Sequence, residues 1–147
     1  MYLHKLFVYG TLLEGMDNYK RFLEPCNPRA YKARARGTMY YLPGDDYPVV
    51  LEGGRNKIAG TFYEARDLSI ALTQIDEIQK YTGVDSQSYL IRRIKDVEIM
   101  DTGEIVKAHM YLWPPMRADW LKKHGIVIAN GDWLEFIRKT KGKKNKP

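Results

Sequence analysis

Leu6-Phe7-Val8-Tyr9-Gly10-Thr11-Leu12 is an apolar, aromatic-rich stretch that runs directly into a glycine. A strand that ends this way leaves the next backbone N–H groups without ladder partners. Successive N–H groups in a turn can form a concavity that suits an anion. The segment therefore reads as a first strand, followed either by a ligand loop or by a plain tight turn.

Working outward, residues 4–12 form the first strand and residues 18–23 a short helix or turn that Pro25 and Pro28 bring to an end. Across residues 31–42, Lys32, Arg34 and Arg36 alternate with Ala33, Ala35 and Gly37. That period of two predicts a strand with its charged face outward. A turn at 43–46 leads through Tyr47-Pro48 into a strand at 49–51, and a second turn at 53–56 into a strand at 58–65, which together predict an antiparallel meander. Asp67 or Ser69 then caps a helix reaching residue 81, with Leu68, Ala71, Leu72, Ile75 and Ile78 on one face. Residues 89–100 and 105–114 predict a hairpin, and short helices at 116–123 and 131–137 close the chain. The sum is an α+β fold: a small mixed, mostly antiparallel β-barrel with one central helix and short peripheral helices.

A chain of 147 residues fits one domain, assigned to 1–137, with a basic tail at 138–147. The net charge of +6 is unevenly placed. Arg138, Lys139, Lys141, Lys143, Lys144 and Lys146 lie in the last ten residues, and without them 18 cations face 18 acids. With no apolar side chain to bury beyond Ile137, the tail is expected to be disordered and solubilising, and nucleic acid is not an expected partner. No apolar run approaches a membrane span and no charged-then-apolar leader opens the chain, so a cytoplasmic location without membrane association is expected. A single cysteine excludes an internal disulfide.

Familiar chemistries are missing. His4, His109 and His124 have no second ligand at metal-binding spacing, so no metal is expected. Ser69, Ser86 and Ser88 sit in no nucleophile elbow. Cys26, between Pro25 and Asn27, has no partner that would activate it. No glycine-rich phosphate loop joins strand to helix, so no nucleotide or other cofactor is expected. Tyr40, Tyr41, Tyr63, Tyr111 and Trp113 fall in strands and read as core.

Three features recur in order: Tyr9-Gly10-Thr11-Leu12 after the first strand, Ile75-Asp76-Glu77-Ile78-Gln79-Lys80-Tyr81-Thr82-Gly83 at the end of the helix, and Tyr89 with Arg92 beyond it. Gly37-Thr38-Met39-Tyr40, Tyr47-Pro48-Val49-Val50, Gly60-Thr61-Phe62-Tyr63 and Gly131-Asp132-Trp133-Leu134 add smaller echoes. Together they resemble the gamma-glutamylcyclotransferase-like, or AIG2-like, family over nearly the whole body. The resemblance implies a mixed barrel that converts a γ-glutamyl amide to 5-oxoproline and a free amine. It implies that the backbone of Tyr9, Gly10, Thr11 and Leu12 holds the substrate α-carboxylate, that Tyr89 lines the pocket, and that a glutamate near the helix end moves the proton.

Here that glutamate position holds Gln79, and Lys80 stands where the family has glycine. A carboxamide donates and accepts hydrogen bonds but takes up no proton at physiological pH. Asp76, three residues earlier and on an adjacent helix face, is the candidate spare base, although a structural hydrogen bond suits it better; Glu77 faces away and reads as solvated. Two readings follow: a cyclotransferase weakened at Gln79, or a γ-glutamyl binder without chemistry. A nucleic-acid module using the tail is a distant third.

Overall fold

The computed structural model describes residues 4–45 and 47–144. Five strands close into a barrel: β1 (Lys5–Val8), β2 (Arg29–Arg36), β5 (Lys57–Glu64), β6 (Ile91–Ile99) and β7 (Ile105–Leu112), in the spatial order β1-β5-β2-β6-β7. Neighbours pair antiparallel except at the closure, where β1 runs parallel to β7 through Leu6 and His109. Beside the barrel lies a three-stranded sheet of β3 (Thr38–Tyr41), β4 (Pro48–Leu51) and β8 (Ile126–Val127), in the order β4-β3-β8. The helices are α1 (Leu68–Ile78), α2 (Ala118–His124) and α3 (Trp133–Lys144). A mixed barrel with helices against it agrees with the expected α+β fold.

Two expectations about the strands need correction. The single strand expected over 31–42 is two, broken at Gly37, where the chain leaves the barrel for the second sheet. A Cβ on Gly37 would stand 2.6 Å from Val50 Cγ1, so only glycine lets the two sheets meet this closely. The expected antiparallel meander holds for β3 and β4, which pair as neighbours, but stops there. β5 pairs along its length with β1 and β2, not with β4, because its alternating apolar residues complete the barrel wall.

Both faces of β1 are covered, which explains its unbroken apolar character. Phe7 and Tyr9 pack with Ala33, Ala35, Phe62, Val97 and Met110 from the other four strands, filling the barrel. Leu6 and Val8 point the other way, toward Tyr63 and the face of α1 made by Leu68, Ala71, Leu72 and Ile75. The three-four spacing of those helix residues buries them all, and truncating Leu72 or Ile75 would cost about 2–5 kcal/mol. Ile78, expected on the same face, is 38% exposed, because the helix ends there and the side chain borders a cleft.

At the C-terminus, α3 passes residue 137 and continues through Lys144, into the stretch expected as a basic tail. An ion pair of 2.8 Å between Lys139 and Glu135, one helical turn apart, favours the extension. The last three residues of the expected tail lie outside the described residues. Trp133 and Phe136 stack at 5.5 Å and pack on Tyr41, anchoring α3 to β3.

Candidate active site

The end of α1 controls the site. Lys80 N–H donates to Glu77 O at 3.2 Å and Tyr81 N–H to Asp76 O at 2.9 Å, the paired bonds of a Schellman turn. Gln79 is therefore the C-cap residue that follows α1, not an interior one, and the residue after it, Lys80, is left-handed with φ of 57°. Tyr89 N–H donates to Lys80 O at 2.9 Å, which fixes this turn to the segment entering β6.

Gln79 faces the loop after β1 across a cleft of about 360 Å³. Tyr9, Gly10, Thr11, Leu12, Gln79 and Tyr89, the six residues marked in the sequence, all line it. The N–H groups of Gly10, Thr11 and Leu12 make no hydrogen bond within the described residues, whereas Gly10 O accepts from Leu13 N–H at 3.0 Å. Tyr63 Oη donates to Leu12 O, and Asn18 Nδ2 donates to Thr11 Oγ1 at 3.2 Å, so the loop is held from behind. Gly10 is needed for contact with β4: a Cβ there would lie 2.8 Å from both Cδ and Cγ of Pro48. The Gln79 carboxamide also has no hydrogen-bond partner within the described residues.

The two tyrosines differ. Tyr9 Oη donates to Tyr111 O at 2.7 Å, and burial raises its phenol, so its side chain serves as a brace to β7. Tyr89 Oη sits 2.9 Å from Tyr47 Oη, at the cleft wall. Burial and that hydrogen bond push the Tyr89 hydroxyl above the ordinary phenol range, leaving it a neutral donor or acceptor. Arg117 fixes its backbone: Nη1 donates to Ser88 O at 2.9 Å, Nη2 donates to Tyr89 O, and the guanidinium lies over the Tyr89 and Trp113 rings. Sequence reading missed Tyr47, Asn18, Tyr111 and Arg117. Tyr47-Pro48 was visible as an echo of the family, but nothing local links residue 47 to residue 89.

Asp76 is not among the residues lining the cleft. Arg92 donates to its two oxygens from Nε at 2.8 Å and Nη2 at 2.9 Å, and Tyr111 Oη donates to Oδ1 at 2.5 Å. Arg92 Nη1 also donates to His109 Nδ1 at 3.0 Å. Burial and the adjacent guanidinium hold His109 down at about 4, so at neutral pH it accepts. The carboxylate thus has a structural role, and Glu77 is exposed as expected. Cys26 is half-buried, and burial with nearby Asp67 pushes its thiol up, in keeping with an inert residue. Among the described residues no His, Cys, Asp and Glu side chains cluster as a metal site, and no helix is long and apolar enough to cross a membrane.

Fold and cleft define a class of small α+β barrels in which a loop after the first strand and the end of a packed helix share one hollow. Residues 6–135 match gamma-glutamyl cyclotransferase, AIG2-like, and the chain belongs to that family. It is 33% identical over 136 residues to the gamma-L-glutamyl-butirosin B gamma-glutamyl cyclotransferase of Niallia circulans, covering 92% of this chain and 79% of that one. Two solved structures share the fold. An AIG2-like protein from Mus musculus superposes with a TM-score of 0.63 at 20% identity, covering 88% and 86% of the two chains. YkqA from Bacillus subtilis gives a TM-score of 0.67 at 22% identity over 95% of this chain but 42% of its own, so this chain spans less than half of that protein.

Proposed function

We propose that the cleft takes a γ-glutamyl amine and has kept recognition while losing the group that moves the proton. One observation carries this reading. Three unpaired backbone N–H groups, at residues 10–12, share the cleft with an unpaired carboxamide at Gln79, and no aspartate or glutamate of the described residues lines it.

In this reading the α-carboxylate of the ligand accepts hydrogen bonds from the 10–12 amides, a concavity that needs no arginine. The γ-amide then lies toward Gln79 and Tyr89. Cyclisation forms a bond between the α-nitrogen and the carbonyl carbon of the γ-amide and breaks the bond from that carbonyl carbon to the departing amine, giving 5-oxoproline. Holding nucleophile and carbonyl together in one folded ligand supplies much of the acceleration. The proton lost by the α-ammonium must reach the leaving amine, and a carboxyl at position 79 would carry it. Gln79 reproduces the shape and hydrogen bonding of that carboxyl but carries no proton, so turnover should lie ~10²–10⁴ below that of the acid. Asp76 cannot replace it while Arg92 and Tyr111 occupy its oxygens.

Calorimetry with a simple γ-glutamyl alkylamide tests the recognition half. Saturable binding that is lost with the corresponding α-amide, which lacks the carboxylate, is the expected result. An empty titration would remove the reading.

A further inference from the structure

Lys80 adds the class of amine to this picture, an inference that rests on the γ-glutamyl reading of the cleft. It occupies the left-handed position of the turn that ends α1, at φ of 57°, where glycine is the unstrained residue. A lysine stands there nonetheless, and it lines the cleft beside Gln79. Its ammonium has no ion pair or hydrogen bond within the described residues. Glu77, the nearest acid along the chain, is exposed and meets Lys80 only through its backbone carbonyl. Asp45 acts electrostatically on Tyr89 and is not among the residues lining the cleft. Among the described lining residues, Lys80 therefore brings the one formal charge.

A ligand seated with its α-carboxylate on the 10–12 amides and its γ-amide at Gln79 presents the substituent of its amine to the next residue. We propose that Lys80 is a specificity residue that selects γ-glutamyl amines whose amine portion carries an anionic group and disfavours those carrying a cation. Attraction on one side and like-charge repulsion on the other act together. Because Lys80 is exposed, the preference acts partly through solvent and shrinks with added salt.

The test is calorimetry at low salt with three probes of similar size: γ-glutamylglycine, γ-glutamyl ethylamide and the mono-γ-glutamyl amide of ethylenediamine. The full chain should bind them in that order, with steps of roughly threefold to fivefold. Lys80→Met and Lys80→Gly should bring all three within about twofold of one another. Lys80→Gly should also raise the melting temperature, because it relieves the left-handed backbone, and this separates loss of charge from damage to the fold. An unchanged ranking in either variant overturns the inference. So does an equal loss for all three probes, which would place the ammonium on the shared α-carboxylate. Equal binding of the probes by the full chain sinks the inference alone, whereas no binding of any probe sinks the γ-glutamyl reading with it.

Discussion

Arg92 grips both oxygens of Asp76, with Nε at 2.8 Å and Nη2 at 2.9 Å, and both side chains are 18% exposed. The pair joins the end of α1 to β6, directly behind the turn that carries Gln79 and Lys80. It makes Asp76 a fixed part of the framework, not a mobile base. Asp76→Asn and Arg92→Gln should each lower stability by about 2–4 kcal/mol in urea unfolding, since each leaves a mostly buried polar partner behind. The double variant should lose clearly less than the two combined. Additive losses would show that the pair is not coupled.

Gly10 is held against Pro48, whose ring has little freedom to yield. Gly10→Ala would place a methyl 2.8 Å from two ring carbons and displace either the loop or β4. A stability loss of about 1–3 kcal/mol is expected, together with weaker binding of γ-glutamyl amides. Full affinity with an unchanged melting temperature would contradict the close approach.

His109 gives the protein an acid-side slope. Its imidazole is held down at about 4 in the folded chain, against an ordinary 6.5, chiefly by burial and then by Arg92. The unfolded chain therefore binds the extra proton first as pH falls. The stability contribution of neutral His109 is complete above pH 6.5 and is lost progressively down to about pH 4, on the order of 3 kcal/mol in all. His109→Gln, compared with the parent at each pH, should flatten that part of the profile. Parallel profiles would place the slope elsewhere.

Local pattern revealed much of this molecule. The apolar run of β1, the helix face from Leu68 to Ile75 and the alternation in β2 each follow from a periodicity that one element carries by itself. The pairing of β5 with β1 was hidden, because nothing in residues 57–64 distinguishes a neighbour near in sequence from one across the barrel. Gly37 read as one more small residue in an alternating strand, since its reason for being glycine is Val50 of the other sheet. The six site residues could be marked because they sit in contiguous motifs. Tyr47, Tyr111, His109 and Arg117 could not, because their partners lie 17 or more positions away in the chain. Helical spacing also misplaced Gln79 within the helix, when the Schellman turn makes it the C-cap just past Ile78, where it lines the cleft.

Release of 5-oxoproline from a γ-glutamyl alkylamide, compared between the chain as it stands and Gln79→Glu, tests the central claim most directly. A gain of ~10²–10⁴ in turnover at similar affinity is the predicted result, because one oxygen in place of one nitrogen restores proton transfer at a site already able to hold the ligand. Equal turnover by the two proteins, or none by either despite saturable binding, would contradict the account.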